Sequence, residues 1–501
     1  MQRNLGAAPT RTQPRRDSGA LEQSAPTCPE ARGESSQGGR RAALLIALAA
    51  LVAAATAGTL LLGNTSLGSA DWTWLRVGMV TLFALSALAL GWRLWLVGRY
   101  RPVPPPPLSA LPLTTVIVPA YNEGRSVYDA LDSLNASDYP RHQLQIVAID
   151  DGSRDDTWTW LMRARRDFGV EVVRFSENRG KRHALYEGMR RARGEFVVTV
   201  DGDSAVRPDT LRHLVAPLIA NTDVGAVAGT VRVLNRTALI GRMLDVSFTY
   251  AFQFIRASES MLGAVVCCPG ALSAYRRSIL DRVKDRWLNQ TLFGVPANIG
   301  EDRALTNHTL RLGYRVVLQS TALVYTDVPT SFGKLWRMLL RWARSNVRET
   351  VVLGSFIFRR FRPGPTLGIR VLFLQHAASM LAAGLSFAPS VVVLALAPQL
   401  VLWLALGALA MAAIPCTTYA VYRNHPARCF WGLAYGLTSA FALAWITPLA
   451  LLTPHVTGWL TRGQLQPARA RAARRSTALG ASESFRARTY GTATVRLRSP
   501  S

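Results

Sequence analysis

Two aspartates separated by one glycine are the residues of this chain best suited to metal chemistry. Asp201 and Asp203 directly follow FVVTV, a run of apolar and β-branched residues from Phe196 to Val200. Such a run predicts a buried strand of a parallel sheet, and open α/β sheets bind ligands where their strands end. Mg²⁺ and Mn²⁺ are held by one or two carboxylates, with waters and substrate phosphates as further ligands. The spacing therefore predicts a Mg²⁺ or Mn²⁺ site beside a phosphate-bearing substrate.

Two earlier runs show the same pattern of a strand followed by a polar turn. TTVIVPA, from Thr114 to Ala120, leads into Tyr121 and Glu123, and LQIVAID, from Leu144 to Asp150, leads into Asp151. Because parallel strands share one direction, all three polar clusters are expected at one edge of the sheet.

Short apolar strands alternate with amphipathic helices from Leu113 to about Tyr325, which predicts an α/β domain with a mostly parallel sheet. The first strand is not followed by G-x-G-x-x-G, which argues against a dinucleotide cofactor. The chain also contains no G-x-x-x-x-G-K-[ST] motif, which argues against an ATPase.

The apolar residues and the positive charge indicate a membrane protein. Apolar runs long enough to cross a bilayer concentrate at about 42–98 and 366–460. The formal charge is +27, and arginines flank these runs, so anionic lipids and anionic substrates are the expected partners. No nucleic-acid-binding motif is present. The five cysteines have no metal-ligand spacing and form no even-numbered disulfide framework, which fits a reducing cytoplasmic compartment.

The predicted organisation is that of a multi-pass cell-membrane protein with its catalytic domain in the cytoplasm. The segments are a disordered tail (1–41), two transmembrane helices (42–98), a Pro-rich spacer (99–111), the cytoplasmic α/β domain (112–330), amphipathic interface helices (331–365), a C-terminal transmembrane region (366–460) and an Arg-rich cytoplasmic tail (461–501). A cytoplasmic C-terminal tail requires that the last apolar stretch, interrupted by Pro448 and Pro454, crosses twice or re-enters.

The segment from Phe332 to Val347 is predicted to be a basic amphipathic helix. Its apolar side is formed by Phe332, Leu335, Trp336, Leu339, Leu340, Ala343 and Val347, and its other side by Lys334, Arg337, Arg341, Arg344 and Arg348. Such a helix lies in a membrane interface, with its arginines toward lipid headgroups or an adjoining active site.

Several motifs resemble those of known enzymes, in the same order along the chain. PAYNE (119–123), DDGSRD (150–155), ENRGKRHAL (177–185) and VDGDS (200–204) resemble the nucleotide-sugar-binding half of family-two glycosyltransferases. CCPGALSAYRRSIL (267–280), GEDRALTNHTLRLGYR (300–315) and RWARSNVRET (341–350) resemble hyaluronan and chitooligosaccharide synthases, which are membrane-bound and processive. The resemblance runs from about residue 112 to residue 462 and implies a GT-A type nucleotide-sugar-binding domain.

The resemblance also implies roles in donor binding. Tyr121, Glu123 and Asp151 would hold the uridine, and Asp201 and Asp203 the metal on the diphosphate. From the residue pattern alone, Asp151 has a second interpretation, as a cap of the helix that begins near Asp155. Lys181 and Arg182 would add positive charge at the phosphates, and for Lys181 the other interpretation is a solvated surface lysine.

Transfer with inversion requires a base for the acceptor hydroxyl, and the resemblance makes Asp302 that base, with Glu301 as second choice. Helix capping by either acid is the alternative. In the family pattern Q-x-x-R-W, the last two positions correspond to Arg341 and Trp342, whereas Met338 replaces the glutamine. This departure leaves the charge of Arg341 and the aromatic platform of Trp342, but weakens the expectation of strong processivity.

The cysteine pair at 267 and 268 is assigned to the lining of the acceptor entrance and not to nucleophilic catalysis. The leading hypothesis is a polymerase that joins UDP-sugars to a growing polysaccharide and secretes it, with hyaluronan favoured over a chitin-type product. The competing hypotheses are a non-processive transferase to polyprenyl phosphate and a non-catalytic membrane scaffold.

Overall fold

The computed structural model describes residues 88–292, 294–396, 398, 400–423 and 426–458. The predicted tails, 1–41 and 461–501, and most of the predicted helices at 42–98 lie outside these residues. Residues 88–99 are helical and end where the Pro-rich segment begins.

The expected α/β domain is confirmed. Its strands are β1 (Thr114–Ala120), β2 (Leu144–Asp150), β3 (Glu171–Arg174), β4 (Phe196–Val200), β5 (Ser204–Val206), β6 (Val224–Val233), β7 (Leu272–Arg276), β8 (Thr291–Leu292), β9 (Val295–Pro296) and β10 (Arg315–Thr326). Eight of them form one sheet in the order β3-β2-β1-β4-β7-β6-β10-β5, and β8 and β9 form a separate hairpin.

Helices flank the strands of the sheet, and the later ones extend beyond it. They are α1 (Ser126–Asn135), α2 (Thr157–Phe168), α3 (Lys181–Arg191), α4 (Thr210–Ala220), α5 (Leu239–Tyr250), α6 (Ala257–Met261), α7 (Arg277–Leu288), α8 (Glu301–Arg311), α9 (Phe332–Ile357), α10 (Leu367–Leu396), α11 (Leu400–Tyr422), α12 (Phe430–Phe441) and α13 (Ile446–Leu452).

The sheet is mostly parallel, as the strand pattern predicted. β1 pairs in parallel with β2 and with β4, and β6 pairs in parallel with β10. β7 runs antiparallel to its neighbours β4 and β6, and β5 runs antiparallel to β10. The carboxyl ends of β1, β2 and β4 therefore meet at one edge, and Ala120 lies directly opposite Asp150.

The hydrophobic core lies on both faces of this sheet. All seven residues of β1 and all five residues of β4 are buried, which explains why these strands read as uninterrupted apolar runs. A second, smaller apolar cluster joins α5 and α9 to α12 and α13. It includes Met338, which is 8% exposed, so the position of the family's glutamine lies among apolar side chains here.

The Pro-rich segment, for which we predict a stiff spacer between the membrane and the domain, is hydrogen-bonded to the domain. Val103 exchanges two hydrogen bonds with the side chain of Gln319, at 3.1 and 2.7 Å. Arg212 Nε donates to the carbonyl oxygen of Pro106 at 2.8 Å. Proline leaves its carbonyl oxygen available as an acceptor, and the domain uses it.

The segment that begins at Phe332 is the predicted helix, but fewer of its basic residues are exposed than predicted. One helix, α9, runs from Phe332 to Ile357. Lys334 and Arg337 are exposed, whereas Arg344 and Arg348 are 7% and 1% exposed. Arg344 Nε donates to Thr453 Oγ1 at 3.1 Å and Arg348 Nη1 to the carbonyl oxygen of Ile299 at 3.4 Å. The second half of α9 is thus packed on both sides, because α8 and α13 cover it.

Within the residues that the structure describes, two helices are long and apolar enough to cross a membrane: Leu367–Leu396 and Leu404–Tyr422. The last apolar stretch forms a bent pair, Ala427–Phe441 and Ile446–Leu452, with an angle of 48° at the break. A bend of this size fits either a broken span or a re-entrant loop. Re-entry is one of the two arrangements, with a double crossing, that a cytoplasmic C-terminal tail predicts for this stretch.

Candidate active site

Hydrogen bonds join the turn after β1 to the turn after β2. Asn122 N–H donates to Ser153 Oγ at 3.0 Å, and Asn122 Oδ1 accepts from Arg154 N–H at 2.9 Å. Asp151 N–H donates to the carbonyl oxygen of Ala120 at 2.8 Å. This backbone contact brings the residue before Tyr121 next to Asp151, and both remain predicted uridine-binding residues.

Asp151 holds the loop that precedes α3 and does not cap α2. Its carboxylate accepts from Arg179 N–H at 2.7 Å, from Gly180 N–H at 2.9 Å and from Asn178 Nδ2 at 3.0 Å. The acid at the start of α2 is Asp155, whose Oδ1 accepts from Thr157 N–H at 3.1 Å. The capping interpretation of Asp151 is therefore wrong, and this carboxylate instead orders the residues that lead into Lys181.

The two metal-binding candidates lie where β4 ends, against the β1 turn. Asp203 Oδ1 accepts from Ser204 Oγ at 3.1 Å and from Thr326 Oγ1 at 3.3 Å. A Cβ placed on Gly202 would lie 3.2 Å from Glu123 Cγ and 3.1 Å from the carbonyl oxygen of Pro119. The acidic turn and the predicted uridine-binding turn are thus in contact.

Lys181 joins this edge of the sheet to α8. Its Nζ lies 2.5 Å from Asp201 Oδ1 and 3.1 Å from Glu301 Oε1, and its side chain is 13% exposed. Burial alone would lower the pKa of this ammonium, but Asp201 and Glu301 raise it above its usual value. The interpretation of Lys181 as a solvated surface lysine is therefore wrong.

Arg182 has a different environment from its neighbour. It is 4% exposed, its guanidinium lies 5.0 Å from the centre of the Trp287 ring, and its Nη1 donates to the carbonyl oxygen of Trp287 at 2.5 Å. The Trp287 indole N–H in turn donates to the carbonyl oxygen of Glu301 at 3.0 Å. Arg182 therefore supports the start of α8 through Trp287, and the predicted role of Arg182 at the phosphates is not borne out by these contacts.

Glu301 and Asp302 form the first turn of α8, where a helix favours negative charge. Burial would raise the pKa of Glu301, but the Lys181 ammonium and, more weakly, Arg341 hold it at about 2. Burial and the neighbouring charge of Glu301 raise the pKa of Asp302 above its usual value. The two adjacent acids are thus driven in opposite directions, and Asp302 is the better proton acceptor near neutral pH.

The thiol of Cys267 lies 3.5 Å from Asp302 Oδ2, and the backbone N–H of Arg303 donates to Oδ1 at 2.8 Å. Burial and the negative charge of Asp302 raise the pKa of Cys267 to about 11, so the thiol is protonated and poorly nucleophilic at neutral pH. This agrees with the assignment of Cys267 to the lining of the site. Its neighbour Cys268 is fully buried.

Of the two candidates on α9, Arg341 is half-buried and Trp342 is 39% exposed. The Trp342 ring lies 6.2 Å from the ring of Phe248 on α5. Helix α9, which carries Arg341, packs against α8, which begins at Glu301. The surface of α9 that bears these two side chains therefore faces the start of α8 and α5.

The donor set at the end of β4 fits a hard divalent cation. No group of three or more His, Cys, Asp and Glu side chains with metal-binding geometry occurs in the part of the chain that the structure describes. Mg²⁺ and Mn²⁺ do not need one, because one or two carboxylates suffice when substrate phosphates and water complete the octahedron. Asp201 and Asp203 provide two, and an ammonium within 2.5 Å of Asp201 shows that this carboxylate stabilises a cation.

Sequence reasoning missed the contacts that connect distant segments. The Lys181–Glu301 pair joins residues that are far apart in sequence, and Thr326, which donates to Asp203, belongs to the last strand of the sheet. No local pattern marks either contact. The burial of Arg182 against Trp287 was also not visible, because a Lys-Arg pair at a helix start reads as a surface feature.

Comparisons with known proteins show the family to which this chain belongs. Residues 112–345 match the family model described as "Glycosyltransferase like family 2". An N-acetylglucosaminyltransferase of Neorhizobium galegae is 31% identical over 362 residues, which cover 71% of this chain and 81% of that protein. A hyaluronan synthase of Streptococcus pyogenes is 35% identical over 244 residues, or 47% of this chain and 57% of the synthase.

Two solved structures are similar over most of their length. A mannosyltransferase of Pyrobaculum calidifontis, in complex with GDP-Man and Mn²⁺, is 27% identical with a TM-score of 0.45, covering 72% of this chain and 97% of that chain. S. aureus TarS 1-349 in complex with UDP is 17% identical with a TM-score of 0.37, covering 68% and 90% respectively.

Proposed function

Because the chain belongs to the family-2-like glycosyltransferases, with a GT-A-like α/β fold, we propose that it is an inverting, metal-dependent, processive enzyme that polymerises UDP-sugars. The product proposed is a β-linked extracellular polysaccharide, namely hyaluronan built from UDP-N-acetylglucosamine and UDP-glucuronate. The observation that carries this proposal is the position of Lys181, which contacts both the acidic turn after β4 and the first turn of α8. In a glycosyltransferase, the donor diphosphate and the base that deprotonates the acceptor must lie close together, as the acidic turn and the first turn of α8 do here.

The proposed donor site lies at the carboxyl edge of the sheet. Tyr121, Glu123 and Asp151 hold the uridine, and Asp201 and Asp203 hold the metal. When bound, the metal neutralises the charge that develops on the departing UDP. Lys181 would bind the donor phosphates from the same edge of the sheet, since its Nζ lies 2.5 Å from Asp201 Oδ1.

The proposed reaction is a single displacement at the anomeric carbon. Asp302 accepts the proton of the acceptor hydroxyl while that oxygen forms the new glycosidic bond and UDP leaves with the electrons of the old one. The raised pKa of Asp302 suits this task. Trp342 offers an aromatic face on which an acceptor sugar ring stacks, and Arg341 adds positive charge near the leaving group.

We further propose a multi-pass enzyme whose catalytic domain faces the cytoplasm and whose product leaves through its own helices. Two helices of sufficient length and a bent apolar pair follow the domain in the chain, and α9 packs against α13 of that pair. A connection between the active site and membrane helices is what secretion coupled to polymerisation requires. Arginine-rich segments beside the helices suit anionic lipids.

A second candidate function is chitin-type polymerisation of N-acetylglucosamine alone. It is favoured by relatives that carry the name N-acetylglucosaminyltransferase, among them one from Azorhizobium caulinodans that is 32% identical over 369 residues. Met338, in place of a polar residue of the family pattern, also suits a less processive enzyme with a short product.

The deciding experiment measures UDP release by membranes that contain the full chain, with Mg²⁺ or Mn²⁺. UDP-N-acetylglucosamine and UDP-glucuronate are supplied separately and together. Sustained release only with both donors, giving a product that hyaluronidase degrades, supports a hyaluronan synthase. Release with UDP-N-acetylglucosamine alone supports the chitin-type enzyme, and no release under any of the three conditions contradicts both.

A further inference from the structure

A cavity of about 130 Å³ lies beside the helix that bears the proposed base, Asp302. Residues of α8, α9 and α10 line it, and Arg303, the residue that follows the base, is one of them. Two acids, Glu259 and Glu349, also line it. A side chain that borders a cavity has no packing on that side, so its hydrogen bonds determine where it lies.

The Arg303 guanidinium is held by an amide oxygen of α9. Its Nη1 donates to Asn346 Oδ1 at 3.0 Å, and His376 Nε2 of α10 lies 3.1 Å from the same oxygen. Because a guanidinium only donates, the Asn346 atom that it contacts is the oxygen, and His376 must donate its Nε2 proton to that oxygen as well. Two other helices therefore fix the side chain of the residue next to the base.

The proposed base is not paired with the arginine that follows it. In the described part of the chain, Asp302 Oδ1 accepts from the backbone N–H of Arg303 at 2.8 Å, but its carboxylate forms no ion pair with the guanidinium. Adjacent residues of a helix can form such a pair. On α2, where the order is reversed, Arg166 Nε lies 3.1 Å from Asp167 Oδ1. At Asp302 the arginine is instead held by Asn346.

An ion pair with this arginine would impair a general base. A cation bonded to a carboxylate stabilises its charged form, so the carboxylate accepts a proton less readily. The cation also occupies an oxygen that the acceptor hydroxyl must reach. The base therefore depends on where the Arg303 side chain is held.

Other titratable groups also surround the first turn of α8. The charged ones on the elements packed against it, and across the cavity, are Lys181, Arg182, Arg341, Arg348, Glu349 and Glu259. The neutral ones are His376, which reaches Arg303 through Asn346, and Cys267, Cys268 and Tyr275, whose pKa values are raised by burial. All of these groups remain when Asn346 is replaced, so a changed pH dependence then reports on the Arg303 side chain.

We propose that Asn346 is a positioning residue that holds the Arg303 guanidinium away from Asp302, so that this carboxylate can take the proton of the acceptor hydroxyl. The inference rests on the proposed function, in which Asp302 is the base, and it holds for either polymer. Without the Asn346 oxygen, the cavity gives the arginine room to turn, and Asp302 is its neighbour along the chain.

Two other acids compete for a released guanidinium. Glu349 already accepts from Gln290 Nε2 at 3.1 Å and from Asn307 Nδ2 at 2.9 Å. Glu259 accepts from a backbone N–H at 3.4 Å. If Arg303 turned to either of them, its charge would not bind the base, and the pH dependence of the reaction separates that case from the proposed one.

The test measures kcat for UDP release by the full chain as a function of pH. Asn346→Leu removes the acceptor at similar size, so kcat should fall about tenfold, and its acid limb should move about one pH unit or more to lower pH, because a paired cation lowers a carboxyl pKa by about 1–3 units. Asn346→Ala, for the case that leucine does not fit, should move the limb in the same direction. Asn346→Asp keeps an oxygen for Arg303 and should keep kcat within about threefold of wild type. Val351→Ala, 50% exposed on α9, is the control and should match wild type.

A double variant separates a misplaced arginine from a loosened helix. Arg303→Met combined with Asn346→Leu removes the guanidinium and lets two apolar side chains pack together. The acid limb should then return to the wild-type pH or above it, and kcat should recover at least about threefold relative to Asn346→Leu. A purely structural role of Asn346 predicts no recovery.

Each other result overturns the inference. An acid limb of Asn346→Leu that stays at the wild-type pH means that Asn346 does not act on the base, whatever kcat does. A limb that moves to higher pH means that the released arginine turns to Glu259 or Glu349. A double variant that recovers nothing means that Asn346 supports the fold. Wild-type silence with UDP-N-acetylglucosamine, with and without UDP-glucuronate, contradicts the proposed function itself and, with it, the base on which the inference rests.

Discussion

Two pairs of acidic residues lie on either side of Lys181, and the protein holds them differently. Asp201 and Asp203 follow a strand, and the side chain of Asp201 is 30% exposed. Glu301 and Asp302 begin a helix, and the side chain of Glu301 is 6% exposed. Around Asp203 the partners are hydroxyl groups, whereas Asp302 is next to a buried thiol and a charged neighbour.

The difference gives one residue type two environments, each suited to one of the two proposed roles. Carboxylates that are partly open to solvent can be reached by a divalent cation and its waters, which suits metal ligands. A buried carboxylate beside another negative charge has a raised pKa, which suits a base that must accept a proton near neutral pH. In this protein, Lys181 contributes to both environments because it contacts one acid of each pair.

The sharpest way to break this comparison is to neutralise the proposed base. Asp302→Asn preserves the shape of the side chain but cannot accept a proton, so kcat should fall about 10³-fold, within the range of general-base catalysis. KM for the donors should change little, because the donor-binding turns keep their contacts. UDP release by purified protein measures both constants.

A matched control for that substitution is Asp281→Asn. Asp281 pairs with Lys284 at 2.7 Å on the exposed side of α7, and its side chain is 47% exposed. Its replacement by asparagine should leave kcat unchanged. If Asp302→Asn keeps more than about a tenth of the activity, the roles of the two pairs are misassigned and Glu301 becomes the base to test.

The strand-end pair is tested by its dependence on metal. Asp203→Asn removes one charged oxygen ligand, so half-maximal activity should require at least about 100-fold more Mn²⁺. Replacing a residue that only hydrogen-bonds to a metal ligand already lowers metal affinity by up to about 100-fold, and a ligand itself should cost at least as much. EDTA should abolish wild-type activity and Mn²⁺ should restore it. Asp302→Asn should not change the Mn²⁺ titration, and a parallel shift in both variants would mean that the two pairs form one site.

The pH dependence of kcat sharpens the comparison further. Asp302 acts only when deprotonated, so activity is present above its raised pKa and falls about tenfold per pH unit below it. Burial is the first cause of the raised pKa and the charge of Glu301 the second, so Glu301→Gln should move the acid limb to lower pH. Glu187→Gln, which removes a half-buried carboxylate that pairs with Arg191 on α3, is the control and should not move it. If kcat of Glu301→Gln falls at the same pH as kcat of the wild type, a group other than Asp302 controls the loss of activity at low pH.

The sequence predicted the strand-end part of the site better than the helical part. The strands from Thr114, Leu144 and Phe196 are buried along their length or nearly so, and their apolar runs marked both the strands and the polar turns that follow them. Parallel direction then required those turns to converge. Local pattern was enough because the relevant contacts are between neighbouring strands.

The rest of the candidate site depends on contacts between segments that are far apart in sequence. Arg344 and Arg348 read as the polar side of α9, but α8 and α13 cover that side, and no feature of the helix itself encodes its neighbours. The pKa values of Glu301 and Asp302 differ because Lys181 pairs directly with Glu301, whereas burial and the charge of Glu301 raise the pKa of Asp302. The side chains around the cavity beside α8 likewise come from distant segments, so they show no common motif.

The smallest effect is expected from moving Lys181 without removing it. A Cβ added at Gly270 would lie 2.7 Å from Lys181 Nζ, too close for an unshifted contact, so Gly270→Ala should push the ammonium away from Asp201 and Glu301. Because the crowded atom is the end of a flexible side chain, the protein should remain folded and kcat/KM should fall about three- to tenfold, or about 1 kcal/mol. Gly333→Ala is the control, since a Cβ there meets nothing within 4 Å. With Lys181 displaced, the pKa of Glu301 should rise, and kcat of Gly270→Ala should depend on pH differently from wild type. If kcat/KM and the pH profile both match those of Gly333→Ala, the bridge between the two acidic pairs is not needed for turnover.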